Sequence, residues 1–165
     1  MWSAIGDVAP WSHIISSPMQ RCLAFAAAVA EKHAIACTIE HDFREVGFGN
    51  WEGKTPDQLR QHNLKEYQDF YRDPVNLRPA GAEDLNDFIT RVSQAYQHAI
   101  EQYRGQHILI VAHAGVNRAI IAQALHCKPV ELYHIKVNNA GMSRLQHDMH
   151  GNHLLYHNCK LHDMA

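Results

Sequence analysis

Ile108-Leu109-Ile110-Val111-Ala112 is an unbroken apolar run, and it ends on His113-Ala114-Gly115. A strand with one wet face alternates apolar and polar side chains. A run without alternation, rich in β-branched residues, suits a strand covered on both faces, as in the parallel sheets of α/β proteins. Such a strand needs helices on either side of it and further strands beside it.

The flanking sequence supplies them. Glu83 to Tyr103 places Leu85, Phe88, Ile89, Val92, Tyr96, Ala99, Ile100 and Tyr103 at helical spacing, and Gly105 follows as a stop. Val116 to His126 reads as another helix, closed by Pro129. Upstream, His13-Ile14-Ile15 reads as a short strand running into the turn residues Ser16-Ser17-Pro18. Alanine-rich Gln20 to His33 reads as a buried helix, and Ala36 to Ile39 as a second short strand. Residues 42 to 54 carry Gly47, Gly49 and Gly53 and read as a loop. Thr55-Pro56-Asp57-Gln58 has the elements of a capping box with proline at the first helical position, opening a helix expected to stop near Asp73-Pro74. Residues 74 to 82 form a second loop. Near the end, Met142 to Gln146 and His153 to Cys159 read as a hairpin around His150-Gly151-Asn152. Strand and helix alternate, so the class is α/β.

The 165 residues suit one domain over 1–165, and their 46% apolar content excludes a disordered chain. A formal charge of -2 gives no global field for nucleic acid or an anionic membrane, so any anion site must be built locally. No apolar run has the length of a membrane span. Met1 to Pro10 lacks a basic start followed by an apolar stretch, and is a poor signal peptide. Cys22, Cys37, Cys127 and Cys159 are scattered, without a paired spacing for zinc or a disulfide framework. A reduced, cytoplasmic protein is the expectation. His147, His150, His153, His157 and His162 cluster near the end, but a hairpin scatters them without a fixed zinc spacing. No metal or cofactor is expected.

Two strand ends carry the chemistry. In open α/β sheets ligands bind beyond the carboxyl ends of the strands. One such end offers Ser16 to Arg21, the other His113-Ala114-Gly115. An arginine near a helix start, beside free backbone N–H groups, suits a phosphate. Spacing alone leaves a plainer reading equally open, with Arg21 capping a surface carboxylate and His113 a satisfied core imidazole.

Four motifs add to this. Ser16-Ser17-Pro18-Met19-Gln20-Arg21 is similar to S-S-P-L-x-R. Phe43 to Gly53 is similar to L-x-E-x-x-F-G-x-W-E-G. Pro79 to Asp84 resembles P-x-G-G-E-S, with Ala82 in place of the second glycine. Val111 to Arg118 resembles V-x-H-G-G-x-x-R, with Ala114 in place of the first glycine. Asn138 and Asn139 resemble an asparagine before the next strand. In this order, over residues 13 to 158, the motifs resemble the histidine phosphatase (phosphoglycerate mutase-like) superfamily, with alpha-ribazole phosphatases as the nearest group.

The resemblance implies a three-layer α/β/α sandwich with a mostly parallel central sheet, and a phosphomonoesterase acting on a phosphorylated small molecule. It implies that Arg21 clamps phosphate oxygens, that His113 hydrogen-bonds the transferring group, and that Ser17, Ala114 and Gly115 lie beside the phosphate. Glu45 would protonate the leaving alkoxide and then activate water. Trp51 would wall a substrate pocket or belong to the core. Alternatives are a phosphoglycerate mutase or sugar-bisphosphate phosphatase, and a catalytically dead phospholigand-binding protein.

The family's R-H-G triplet, whose histidine accepts the phosphoryl group, occurs nowhere in the sequence. The expectation is therefore a domain truncated at its amino terminus and lacking the first strand. The resemblance places that strand centrally, between Ile108–Val111 and Met142–Gln146. Its absence would leave two edges of unpaired backbone. Three outcomes are open: direct pairing of the two edges, a replacement strand from Met1 to Pro10, or strand exchange in a homo-oligomer. Gly6 and Pro10 disfavour the second.

Overall fold

The computed structural model describes residues 9–160. In chain order the elements are β1 (His13–Ser16), α1 (Gln20–His33), β2 (Cys37–Ile39), α2 (Pro56–His62), α3 (Leu64–Arg72), α4 (Leu85–Gln102), β3 (Ile108–Val111), α5 (Ala114–Ala124), β4 (Met142–Asp148) and β5 (Gly151–Cys159). Short 3-10 turns occupy His41–Phe43, Gly49–Trp51 and Pro129–His134.

β1 is the middle of three parallel strands in the order β2-β1-β3. The register sets Ile14 opposite Leu109 and Ile15 opposite Ile110. Successive side chains leave a strand on opposite faces. Ile14 and Leu109 accordingly pack with Ala26 and Val29 of α1. Ile15 packs with Phe88, Val92 and Tyr96 of α4 and with Val116, Ala119 and Ile120 of α5, and Ile110 lies against that cluster. The result is the expected three layers, helix on both faces of a parallel sheet. Full burial of a side chain such as Ile14, Leu85 or Phe88 contributes about 1.5–3 kcal/mol.

The order β2-β1-β3 also fixes where a ligand can sit. From β1 the chain departs to α1 on one face, and from β3 to α5 on the other. The carboxyl ends of β1 and β3 therefore flank a topological switch point.

Four expectations need correction. The helix opened by Thr55 does not run to Asp73. It breaks at Asn63 (φ −154°, ψ 86°), whose Oδ1 accepts the Glu66 N–H at 3.1 Å and starts α3 afresh. The Thr55–Gln58 capping box itself forms, with bonds of 3.3 and 2.8 Å. α5 begins at Ala114 rather than Val116, so Ala114 adopts helical backbone. The hairpin turns on Met149-His150, which lengthens both of its strands.

The fourth correction concerns the sheet. Direct pairing of β3 with β4 does not occur. Among the described residues β3 pairs with β1 alone, and β4 with β5 alone. The Ser17 N–H donates to the Val111 carbonyl at 2.9 Å, which turns the backbone groups of Val111 towards β1 and those of Ile110 towards the outer edge. The hairpin still joins the core through its side chains. Met142 packs with the Leu109 cluster and Leu145 with the Ile110 cluster. Tyr96 of α4 hydrogen-bonds His147 at 2.6 Å, and Asn152 Nδ2 donates to the Ala124 carbonyl at 3.4 Å. Local antiparallel pairing and these anchors fix β4 without β3. Of the replacement strand considered for residues 1 to 10, positions 1–8 lie outside the described residues.

Candidate phosphate site

Ser16 ends β1 and Ser17 follows it, both with no exposed surface. Ser17 Oγ accepts the Met19 N–H at 3.3 Å, a local turn that leads into α1. The first turn of α1 then points Arg21 across the end of β3. Arg21 Nε and Nη2 lie 3.1 and 2.8 Å from His113 Nδ1. On the other side of the ring, His113 Nε2 lies 2.6 Å from Ser17 Oγ. His113 is the residue before α5, in extended backbone, and only 6% exposed.

These contacts fix the imidazole. Arg21 has donors only, so Nδ1 must present its lone pair and the ring proton sits on Nε2, donated to Ser17. Burial, then the neighbouring Arg21 charge, push the His113 pKa down to about 4, so the ring is neutral near pH 7.

Glu45 reaches the same place from the loop after β2. Its Oε2 accepts the Gly115 N–H at 3.2 Å, at the amino terminus of α5, and its Oε1 accepts the Val46 N–H at 3.1 Å. A carboxylate is favoured there by the helix dipole. A Cβ at residue 115 would lie 2.3 Å from Glu45 Oε1, so only glycine allows this approach. The backbone at Gly49 also demands glycine. Its φ is +53°, and a Cβ would sit 2.3 Å from the Ala80 carbonyl, where the 49–51 turn presses on the 80–82 loop.

Four of the expected residues thus converge: Ser17, Arg21 and His113 by direct bonds, and Glu45 through Gly115. Ala114 and Gly115 form the first turn of α5 between them. Asn138 is tied to the hairpin instead, its N–H donating to Asn158 Oδ1 at 2.8 Å. Trp51 belongs to an aromatic cluster, edge-on to Phe70 with ring centroids 5.1 Å apart and stacked on Tyr67 at 5.9 Å. The side chains of His147, His153 and His157 are individually engaged. His153 lies 3.3 Å from Asp148, and His157 bonds Ser143 and the Lys136 carbonyl. His162 lies outside the described residues. Among the described residues no group of three His, Cys, Asp or Glu side chains is placed to hold a metal ion.

Two contributors escape a reading of the sequence. Cys22 follows Arg21 and turns inward, its sulfur 3.6 Å from His113 Nε2 and 3.4 Å from the Ala112 carbonyl. Burial pushes its thiol up and favours the protonated form, against the opposing pull of Arg21. Arg91 of α4 grips Glu83 with two bonds of 2.7 and 2.9 Å. It also donates to the carbonyls of Asp42, Arg44 and Glu45, and so holds the loop that presents the Glu45 carboxylate. Burial works to raise the Glu83 carboxyl, but Arg91, the Gly47 N–H and Arg44 outweigh it and hold it below the usual range.

Comparison with known proteins identifies the family. The model of the histidine phosphatase superfamily (branch 1) matches residues 3–160. The chain belongs to that superfamily. Among histidine phosphatases, it is 26% identical over 137 residues to the adenosylcobalamin/alpha-ribazole phosphatase of Salmonella typhimurium, covering 83% of this chain and 68% of that protein. It is also 26% identical over 149 residues to bifunctional protein Rv2228c of Mycobacterium tuberculosis, covering 86% of this chain. The match spans only 41% of that relative's length. The solved structure of Bacillus stearothermophilus YhfR superposes with a TM-score of 0.78 at 24% identity, over 90% of this chain and 74% of that one. That likeness establishes the phosphoglycerate mutase-like fold. Among the described residues no helix is long and apolar enough to cross a membrane.

Proposed function

We propose that the crevice beyond the carboxyl ends of β1 and β3 binds the phosphate group of a small phosphomonoester, with Arg21 clamping its oxygens and His113 beside the transferring group. Ser17, Ala114 and Gly115 line the same crevice, and Glu45 protonates the leaving alkoxide. The observation that carries this reading is the convergence of Arg21, His113 and Ser17 at one strand end, with the Glu45 carboxylate on the first turn of α5. Resemblance to alpha-ribazole phosphatases makes an alpha-ribazole 5'-phosphate-like substrate the first candidate. A phosphorylated sugar or glycerate, the substrate of a mutase or bisphosphatase, is the second. A cytoplasmic setting accords with four cysteines that are all free.

A specific observation favours a binding role over rapid turnover for this polypeptide. The sequence has no R-H-G triplet, and the His113 imidazole at the site already holds its proton on Nε2 and faces Arg21 with Nδ1. Loss of a covalent nucleophile costs several orders of magnitude in rate. Phosphate titration followed by NMR, with para-nitrophenyl phosphate turnover measured alongside, tests both parts. The expected result is weak phosphate binding that Arg21→Ala abolishes, with little or no turnover. Equal binding by the variant would move the site elsewhere. Turnover at an ordinary enzymatic rate that His113→Ala removes would make His113 a substitute nucleophile. The edges of β3 and β4 that no described residue pairs are proposed to be covered by strand exchange between copies.

A further inference from the structure

Both nitrogens of the His113 ring are already engaged. Nδ1 receives two Arg21 donors, at 3.1 and 2.8 Å, and Nε2 is held by Ser17 at 2.6 Å. In this arrangement His113 has no N–H left to offer an anion. Arg21 meanwhile spends two of its five N–H donors on a neutral imidazole. The pair is arranged against itself for anion binding, unless the anion rearranges it.

An entering dianion does so for a simple reason. A charge-assisted bond from guanidinium to an anionic oxygen is about twice as strong as one to a neutral acceptor. Arg21 therefore turns to the anion. Nδ1 loses its donors, and a negative charge now lies beside it. Both changes favour the imidazolium.

The other groups around the ring do not oppose this. Cys22 on α1 is a neutral thiol 3.6 Å away. Ser17, just after β1, keeps accepting from Nε2–H in either state. Glu45, two residues along at Gly115, adds a negative charge that also favours the imidazolium. Only Arg21 and burial hold the ring neutral, and the first of these departs when the ligand arrives.

We propose that oxyanion binding at this site takes up one proton from solvent onto His113 Nδ1, with Arg21 as the positioning residue that keeps the imidazole neutral until the anion displaces it. One N–H bond forms, and no covalent bond breaks within the protein. The bound state then presents two cations where the free state presents one. This inference rests on the phosphate-site reading given above.

Sulfate is the probe, because it stays a dianion throughout the near-neutral range and takes no proton itself. Calorimetry of the full chain at about pH 6, in two buffers of different ionisation enthalpy, counts the protons absorbed on binding. The expected count approaches one, with sulfate affinity falling by up to about tenfold per pH unit as pH rises. NMR of chain labelled with 15N-histidine reads the ring directly. His113 Nδ1 should be bare in the free protein and protonated with sulfate. In Arg21→Met without ligand, His113 should titrate at a higher pH than in the parent. Sulfate binding with no proton uptake and a bare Nδ1 would overturn the inference alone. Proton uptake that persists in His113→Asn would assign the proton to another group and overturn it too. If that variant does not fold, the Nδ1 signal of the unsubstituted chain decides. Failure of sulfate to bind at any pH would instead refute the anion site itself, and the inference with it.

Discussion

At the scale of single residues, the site depends on a side chain that touches none of Arg21, His113 or Ser17. Arg91 sits in the middle of α4, its side chain only 11% exposed, where an arginine would ordinarily be a solvated decoration. Its planar fork serves two Glu83 oxygens and three carbonyls of the 42–45 loop, a geometry that lysine cannot reproduce. Breaking a buried, multiply bonded pair from one side costs about 3–5 kcal/mol, and this one is partly solvated, so Arg91→Met should lose about 2–4 kcal/mol in urea unfolding. Arg91→Lys should recover only a part of it. The sign of the pH dependence follows from Glu83. Its carboxyl is held low in the folded state, so the pair's contribution is complete above the unfolded carboxylate value, near 4.3, and is lost as pH falls through the lower folded value. Glu83→Gln should therefore flatten the acid limb of the stability curve. An unchanged acid limb in that variant would show that Glu83 is not the group responsible.

At the scale of elements, the hairpin is the piece most exposed to test. Among the described residues it joins no other strand, so its position depends on side chains, among them the Tyr96–His147 bond of 2.6 Å. Burial pushes the Tyr96 phenol up, so it remains a donor. His147 Nδ1 faces the Asn152 amide oxygen at 2.7 Å and must carry the ring proton, which leaves Nε2 to accept from Tyr96. Tyr96→Phe should cost about 1–2 kcal/mol, and amide exchange should accelerate across Met142–Asp148 and Gly151–Cys159 while β1 and β3 keep their protection. Uniform acceleration everywhere would mean that the hairpin and the sheet open together. Elements like α4, β1 and β3 were legible in the sequence because periodicity or an unbroken apolar run declares them. The break at Asn63 was not, because Leu59, Tyr67 and Phe70 continue a plausible apolar stripe through it. Only Asn63 followed three residues later by Glu66 marks the second start. The site was legible to a similar degree. Arg21, His113 and Glu45 fall in recognisable motifs at strand ends. Cys22 and Arg91 do not, since the inward turn of one and the loop folded over the other are set by packing.

At the scale of the whole molecule, the sheet is divided, and that division predicts behaviour in solution. β3 and β4 each present one backbone edge that no described residue pairs, and both strands lean on the same two apolar clusters. Water can satisfy an open edge, but any N–H or C=O left buried without a partner costs about 1–3 kcal/mol. A few of these would consume much of the roughly 5–15 kcal/mol that stabilises an ordinary domain. Open parallel edges are also templates for another chain. A second copy lending a strand would satisfy both edges at once, whereas the described residues of a single chain leave both to solvent. Association that completes the sheet must stabilise the folded state by mass action. Sedimentation velocity over a wide concentration range should therefore show a weight-average mass rising above that of one chain, and the thermal midpoint should rise with protein concentration. The amides of Ile108 and Ile110 should become protected from exchange along the same curve, because their outward edge is the one being paired. A monomer at every concentration, with an invariant midpoint and rapid exchange at Ile110, would refute strand exchange and leave the divided sheet as the stable form of this chain.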